Sequence, residues 1–282
     1  MFKLIFTNSQ GVEIELFGRP FRLSKVEGLG DVQADVQSQR APYQDGDTTI
    51  DVVLQPRYMT VELKIYGKDA AETEANRRKF ASIFNPRLGE GVLKYVRGEE
   101  EKVISVLAES VPVFPDGPTN RQPTFQKSLL YLKAPNPYWR GASVTEEPAF
   151  EPLFEFPFEG EFEMGMQRAQ RIIHNDGDAP APLQIDFFGP AQSPVIENLR
   201  TGEFIRINRS LAENETFKID TEKNTLFYVD DEGNKTNVFH WIDPFSDFFK
   251  LELGDNEITC HCAISNNQKD FDIRYQKLYV AV

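Results

Sequence analysis

The chain has 282 residues, of which 40% are hydrophobic and 27% charged, and a formal net charge of −13. This composition is that of a folded globular protein and excludes a disordered or fibrous chain. No apolar run approaches the roughly 18 residues of a membrane-spanning helix, and the first residues lack the apolar segment of a secretory signal, so we expect synthesis in the cytoplasm and no membrane insertion. Because single cores stop growing near roughly 250 to 300 residues, two domains are expected.

The charge is divided unevenly between the two halves of the chain. Residues 1–140 carry 19 basic and 18 acidic side chains, whereas residues 141–282 carry 12 basic and 26 acidic side chains. A nucleic-acid-binding protein needs a basic surface to neutralise phosphates. The near-neutral first half and the acidic second half therefore exclude specific nucleic-acid binding as the main task.

Strand patterns dominate the first half, in keeping with 23 Phe and 9 Tyr in the sequence. The first two form a hairpin around the turn at residues 8–11, and the third, residues 32–37, alternates small apolar and polar side chains before a turn at residues 41–47. Its polar face is expected to stay wet or to meet a polar partner. The predicted strands of this half cover residues 4–6, 12–16, 32–37, 58–66, 93–95, 102–108 and 125–132.

One segment of the first half is typical of a helix. Asp69 can cap its N-terminus with Glu72 as the capping-box partner, and Pro86 stops it after Phe84. A proline-rich connection over residues 111–123 is expected to project from the body of the protein. The prolines of residues 134–141 favour an extended hinge, so we place the domain boundary between residues 138 and 139.

Short strands separated by turn clusters follow in the second half, a spacing typical of a sandwich or jelly roll. Before them lies a strip, residues 146–163, that contains seven Glu and five Phe and no Lys or Arg. It is interpreted as an extended edge segment whose aromatic rings pack inward, with an acidic docking strip as the alternative. The predicted strands cover residues 171–174, 183–188, 194–199, 204–207, 216–219, 226–229, 237–241, 248–253, 258–264 and 271–280.

No catalytic or metal-binding set stands out in the sequence. The three histidines are scattered over ninety residues, and Cys260-His261-Cys262 places His261 on the strand face opposite to the two thiols, which disfavours zinc. The two thiols are also badly placed to bridge each other. Residues 230–234 resemble a fragment of a calcium loop but lack its distal glutamate, so a solvated hairpin turn is expected. We therefore expect no enzyme, no cofactor and no metal.

The order of several short motifs resembles the distal tail protein family of siphophages that infect Gram-positive bacteria. The motifs of the first half are Lys25–Gly30, Tyr43–Gly46, Gln55–Gly67, the helix end Phe84–Pro86 and the Pro-aromatic-Trp junction Leu132–Trp139. Those of the second half are Ile173–Ile185, Ile196–Gly202, Phe217–Thr221 and Leu251–Ile258. Each motif alone is mostly turn chemistry, and their joint order carries the resemblance. The acidic strip has no counterpart among the family hallmarks.

This resemblance implies a mainly-β protein with two domains. Residues 1–138 would form a β-sandwich or split barrel with one α-helix that assembles into a homo-oligomeric, hexameric ring, and residues 139–282 a galectin-like (jelly-roll) β-sandwich. It further implies a structural, baseplate hub role at the virion tail tip of a phage or prophage. The partners would be the tail tube protein, the tail-associated tip protein and a receptor-binding protein.

Two surfaces are the sequence-based candidates for function. For the ring interface we expect the stretch with Gln33, Gln37, Arg40 and Tyr43, together with the loop of Phe114, Pro115, Asp116, Gly117 and Pro118. The alternative function is a carbohydrate-binding module of a cell-wall-binding protein, in which the rings of Trp241 and Tyr138 would stack on sugars. A glycoside hydrolase is a third class, and it would need two carboxylates that face one cleft.

Overall fold

A computed structural model of the chain describes residues 2–146, 169–261 and 271–282. The acidic strip, apart from its first residue, lies outside the described residues. The chain divides into two compact units: the first unit is Met1–Gly141 with Tyr279–Val282, and the second unit is Ala142–Leu278. The predicted boundary between residues 138 and 139 stays a prediction. It differs from this division by three residues within one strand and by the last four residues of the chain.

The first unit contains antiparallel strands and one α-helix, α1 (Ala70–Ile83). A short 3-10 turn at Pro86–Leu88 follows the helix. The strands are β1 (Lys3–Thr7), β2 (Glu13–Glu15), β3 (Phe21–Glu27), β4 (Ala34–Gln39), β5 (Thr48–Leu54), β6 (Arg57–Tyr66), β7 (Gly91–Arg97), β8 (Glu100–Ala108), β9 (Arg121–Gln122), β10 (Phe125–Ala134) and β11 (Trp139–Glu146), the last of which continues into the second unit.

Seven of these strands are paired in one sheet in the order β2-β1-β7-β8-β10-β6-β3. Its long strands alternate buried and exposed residues, as in β6, where Met59, Val61, Leu63 and Ile65 are buried and the residues between them are partly or fully exposed. Strands β2 and β3 end the order, so each has one unpaired edge within the described part of the chain. The hairpin of β4 and β5 is a separate two-stranded sheet.

Helix α1 begins and ends where the sequence predicts. The Asp69 carboxylate accepts a hydrogen bond from the backbone N–H of Glu72 at 2.8 Å, and the Glu72 carboxylate accepts one from the N–H of Lys68 at 2.7 Å. Phe80, Ile83 and Phe84 are buried and dock the C-terminal end of the helix on the sheet. The stacked rings of Phe84 and Phe6, 4.4 Å between centroids, fix that contact.

A buried arginine, Arg57, joins three segments of the first unit. It is 1% exposed, and its guanidinium donates to the carbonyls of Gly28 at 2.9 Å, Leu29 at 3.0 Å, Pro137 at 2.9 Å and Val280 at 2.6 Å. Burial lowers the pKa of Arg57 from its usual value, whereas the nearby Asp31 carboxylate raises it. Because the acceptors are neutral carbonyls, these hydrogen bonds must compensate most of the desolvation of the charge.

The second unit is a sandwich of two antiparallel sheets. Its strands are β12 (Ala169–Asn175), β13 (Leu183–Phe188), β14 (Ala191–Gln192), β15 (Val195–Asn198), β16 (Glu203–Arg206), β17 (Ser210–Leu211), β18 (Thr216–Asp220), β19 (Thr225–Val229), β20 (Lys235–Asn237), β21 (Gly254–His261) and β22 (Phe271–Tyr279). One sheet has the order β22-β13-β18-β19-β20 and the other the order β12-β21-β15-β16, and their inner side chains belong to a single hydrophobic core. Two short strands, β14 and β17, pair with each other.

The predicted mainly-β fold with one α-helix is confirmed, but two predicted strands of the second unit are wrong. The segment 237–241 ends as a strand at Asn237, whose side chain accepts from the N–H of Phe239 and turns the chain into a 3-10 turn, Phe239–Trp241. In the segment 248–253, Leu251 alone bridges to another residue, Ala181. Both segments are apolar because they cover the core, not because they are extended.

Replacing Arg57 tests whether its hydrogen bonds hold the three segments of the first unit together. Arg57→Met removes the donor to four carbonyls, of which that of Gly28 is buried and the others are partly buried, and the Leu29 carbonyl keeps its hydrogen bond from Trp139. We therefore expect the free energy of unfolding to fall by about 1 to 3 kcal/mol. Thermal and urea unfolding followed by near-ultraviolet circular dichroism measure the change. The control Arg78→Met removes an exposed helix arginine and should change stability by less than about 0.5 kcal/mol. Equal stability of the two variants would contradict the role of Arg57.

The pKa of Tyr228 predicts how the stability of the second unit responds to alkaline pH. Its hydroxyl donates to the Glu215 carboxylate at 2.5 Å, and this hydrogen bond, followed by burial, raises the pKa of Tyr228 to about 12. A pKa raised above the unfolded value of about 10 means that the stabilisation is complete below pH 10 and is lost as the pH rises towards 12. We expect Tyr228→Phe to flatten this alkaline loss in denaturant titrations. Tyr58→Phe, an exposed tyrosine of the first unit, should leave the loss unchanged.

Candidate functional site

The hairpin of β4 and β5 carries all four residues of the first predicted ring-interface stretch, Gln33, Gln37, Arg40 and Tyr43, and each of them is exposed. The two strands pair with each other and with no other strand that the structure describes. A hydrogen bond from the N–H of Gln55 to the carbonyl of Gln33, 2.8 Å, closes the base of the hairpin. The structure therefore places this stretch on a projecting arm.

One face of the hairpin is apolar and has no cover. In the register of the two strands Ala34 lies opposite Leu54 and Val36 opposite Val52, so these four side chains share one face. Val36 is 55% exposed and Val52 is 54% exposed. An isolated two-stranded sheet is marginally stable in water, because its apolar face has nothing to pack against. The sequence predicted the alternation of β4 correctly but not that both of its faces would be exposed.

The tip of the hairpin presents Tyr43 to solvent in a strained conformation. Its φ angle is 64°, in the left-handed region that non-glycine residues seldom adopt, and its side chain is fully exposed. Hydrogen bonds hold the tip: the Nε of Arg40 donates to the Gln44 carbonyl, and the N–H of Ala41 donates to the Gln44 side chain. Its strained backbone and exposed ring make Tyr43 a candidate contact residue, and its part in a ring interface stays a prediction.

The hairpin is acidic. Residues 31–54 contain five Asp and one Arg, a net charge of −4 within a first half that is otherwise basic. Asp35 and Asp51 lie on the face opposite to Val36 and Val52, where Val53 lies directly across from Asp35, and Asp45 and Asp47 lie near the tip. The Ser38 hydroxyl donates to the Asp47 carboxylate at 2.6 Å. The arm therefore combines one apolar face with carboxylates on its other face and at its tip.

The second predicted stretch, Phe114 to Pro118, does not project freely. The ring of Phe114 packs on the core and lies under the Arg77 guanidinium at 5.0 Å, and the Gln126 side chain donates to the Pro115 carbonyl at 2.8 Å. The Asp116, Gly117 and Pro118 carbonyls accept from Asn120, from Asn120 and Arg121, and from Gln122 respectively. This loop is folded back beside α1, and its part in a ring interface stays a prediction.

A groove that the sequence analysis missed lies along β3, at the open end of the strand order. Its volume is about 660 Å³. The apolar side chains of Phe2, Phe17, Leu23 and Val26 are partly exposed in it. The basic side chains that line it, Arg19, Arg22 and Lys25, are exposed. The signal for the groove in the sequence was the mixture of three basic and several apolar residues between positions 19 and 26, which β3 places on one surface.

The two aromatic residues of the carbohydrate hypothesis lie in different units. The Trp241 ring is half-buried against Phe217 and Tyr228, with centroids 6.1 and 5.7 Å away, and the Arg209 guanidinium covers it at 5.2 Å. Tyr138, in the first unit, is half-buried. Because the surroundings of Trp241 are occupied by protein groups, the geometry gives no support to sugar stacking on this ring.

Within residues 2–146, 169–261 and 271–282, no group of three or more His, Cys, Asp or Glu side chains could hold a metal ion. Cys260 is buried in the core of the second unit, and Cys262 lies outside those ranges. In the same part of the chain, no helix is long and apolar enough to cross a membrane.

Comparisons with known proteins agree with this architecture. Residues 9–130 match the family model of the phage tail protein RIFT-related domain, and residues 176–279 match that of the siphovirus-type tail component, C-terminal domain. A search of curated proteins finds no match.

Two solved structures share the fold over their whole length. The crystal structure of the Dit protein of phage SPP1 is similar with a TM-score of 0.72 and 12% identity over 99% of each chain. A chain of the phage P2 baseplate in its activated conformation with Ca is similar with a TM-score of 0.59 and 9% identity over 100% of each chain. The two units thus match, in order, the two domains of siphovirus tail components, and the chain belongs to the distal tail protein family, the structural hub proteins of the phage tail tip.

Proposed function

We propose that this chain acts without catalytic turnover, as a homo-oligomeric, hexameric ring that joins the tail tube protein to the tail-associated tip protein and carries the receptor-binding protein. The hairpin of β4 and β5 carries the proposal, because it is an arm with an uncovered apolar face and an outward Tyr43. The SPP1 Dit protein, which shares this fold and is a paradigm of the hub adsorption apparatus in phages that infect Gram-positive bacteria, supports it.

The charge distribution is compatible with a ring around a DNA channel. A strongly basic inner surface would bind the phosphates of passing DNA and slow its exit. Residues 1–140 are nearly neutral, with 19 basic and 18 acidic side chains. The first unit is therefore the part of the chain suited to form the ring, and no specific contact with nucleic acid or with the membrane is proposed.

Removing the hairpin tests the proposed ring. Residues 34–54 are replaced by Asn-Gly, a two-residue turn that suits the hydrogen-bonded pair Gln33 and Gln55. Because the hairpin pairs only with itself among the described strands, we expect the variant to keep its melting temperature and to lose its oligomer. Size-exclusion chromatography with light scattering, and negative-stain microscopy of the six-fold ring, provide the measurement.

A matched control replaces another exposed turn by the same two residues. Residues 230–234, which join β19 and β20 in the second unit, are replaced by Asn-Gly and should leave the ring intact. A ring that forms equally well without residues 34–54 would show that the hairpin is not the interface. A wild-type protein that stays monomeric at micromolar concentration would contradict the ring itself.

A further inference from the structure

The first unit is completed by residues that follow the whole second unit in the sequence. These residues, Tyr279–Val282, are called the strap, and residues 142–278 separate them from the rest of the first unit. We propose that docking of the strap fixes the base of the hairpin of β4 and β5, so that a chain presents this arm for assembly only after its second unit has folded. The consequence for assembly rests on the proposed ring, whereas the effect of the strap on the first unit does not.

Two cations of the first unit hold the backbone of the strap. Arg57 donates from Nη2 to the Val280 carbonyl at 2.6 Å, and Lys102 donates from Nζ to the Ala281 carbonyl at 3.4 Å. The Lys102 ammonium also lies 4.2 Å from the centre of the Tyr279 ring. Arg57 is 1% exposed and the side chain of Lys102 is 12% exposed. Both cations are therefore largely removed from water, and each loses an acceptor when the strap is absent.

The four side chains of the strap fall into two classes. Tyr279 and Val282 are partly buried and pack against the hydrophobic core of the first unit. Val280 and Ala281 are exposed, so these two residues contribute their carbonyls rather than their side chains. The strap is therefore held by backbone hydrogen bonds and by two apolar anchors, and its exposed side chains are open to substitution.

The strap contacts the base of the hairpin through Arg57 and through Gly30. The guanidinium that binds the strap also binds the carbonyls of Gly28 and Leu29, at 2.9 and 3.0 Å. A Cβ added to Gly30 would lie 3.8 Å from the Cβ of Ala281, so the strap packs directly beside the residues that precede β4. Without the strap the Arg57 cluster loses one of its three segments, and the base of the arm is held less firmly.

The second unit decides when the strap can dock. Strand β22 ends at Tyr279, and its residues 271–275 pair with residues 183–187 of β13. While the second unit is unfolded, the strap is joined to the first unit by a flexible segment of residues 142–278, and closing so long a loop costs conformational entropy. Folding of the second unit removes most of this cost, because it orders the strand that leads into the strap. The first unit is therefore completed last.

Fluorine NMR can follow the two units separately, because the sequence has two tryptophans and each unit contains one. Trp139 is buried and donates to the Leu29 carbonyl beside Arg57, whereas Trp241 packs against the core of the second unit. Protein labelled with fluorotryptophan gives one resonance for each unit, and Trp241→Phe assigns them. For a chain that ends at Leu278 we expect the urea midpoint of the Trp139 resonance to fall by about 1 M and that of Trp241 to stay unchanged.

Two variants of unchanged length accompany the shortened chain. Tyr279→Ser with Val282→Ser removes both anchors and should give the same selective loss at Trp139. The matched control, Val280→Ala with Ala281→Ser, changes the two exposed side chains and should keep both midpoints of the wild type. Equal Trp139 midpoints in the shortened chain and the wild type would overturn the role of the strap. A parallel loss at Trp139 and Trp241 would also overturn it, because these residues would then serve the second unit.

Light scattering tests the consequence for assembly. At a concentration at which the wild type and the control form the ring, we expect the shortened chain to stay dissociated. Assembly of the shortened chain as in the wild type would overturn the control of the arm by the strap. A wild type without any oligomer would overturn the proposed ring and this control with it, and the urea midpoints would still decide whether the strap completes the first unit.

Chains arrested on the ribosome test the order of folding. With a flexible linker that fills the exit tunnel, arrest after Arg200 exposes residues 1–141 without the strap, and arrest after Val282 exposes the whole chain. A pulse of protease should digest residues 1–141 in the shorter chain and spare them in the longer one. In the longer chain, Tyr279→Ser with Val282→Ser should restore digestion. Protection of residues 1–141 in the shorter chain would overturn the proposed order.

Discussion

The guanidinium of Arg57 is the constraint on which the first unit depends. Its four carbonyl acceptors belong to the segment after β3, the proline-rich junction before β11 and the last residues of the chain. Gly28, at φ 89° and without room for a Cβ beside the Tyr58 carbonyl, directs its own carbonyl towards this charge. Trp139 adds a hydrogen bond from its indole N–H to the Leu29 carbonyl at 3.0 Å. Sequence-distant segments are thus fixed around one buried charge.

This arrangement explains how a marginal hairpin can be presented by a stable body. The chain leaves the Arg57 cluster at Gly28 and Leu29, forms β4 and β5, and returns to it at Arg57, the first residue of β6. Both ends of the arm are therefore anchored, while its two strands have no partner beyond each other among the described residues. Local stability is high at the base and low along the arm, which is the usual distribution for a surface that orders on binding.

Sequence patterns reached those parts of the fold that local chemistry decides. The helix was predictable because Asp69, Glu72 and Pro86 mark its ends, and the first strand of the arm because residues 32–37 alternate before a turn, whereas its second strand, β5, was not predicted. Strand β3 was not predicted because the bulge at Ser24 breaks the period of two, so Phe21, Leu23 and Val26 do not follow a strict alternation. The groove that this strand lines was therefore not predicted either. Residues 248–253 were overpredicted, because an apolar run shows burial and not whether a neighbouring strand is there to pair.

The uneven charge sets a requirement on any assembly of this chain. Residues 141–282 carry a net charge of −14, so copies of the chain repel one another through that half, as is usual for proteins that stay soluble and separate. A ring must overcome this repulsion with a local contact, and surface ion pairs alone are too weak for that. In the proposed ring, the uncovered apolar face of the arm would supply a driving force that salt does not screen.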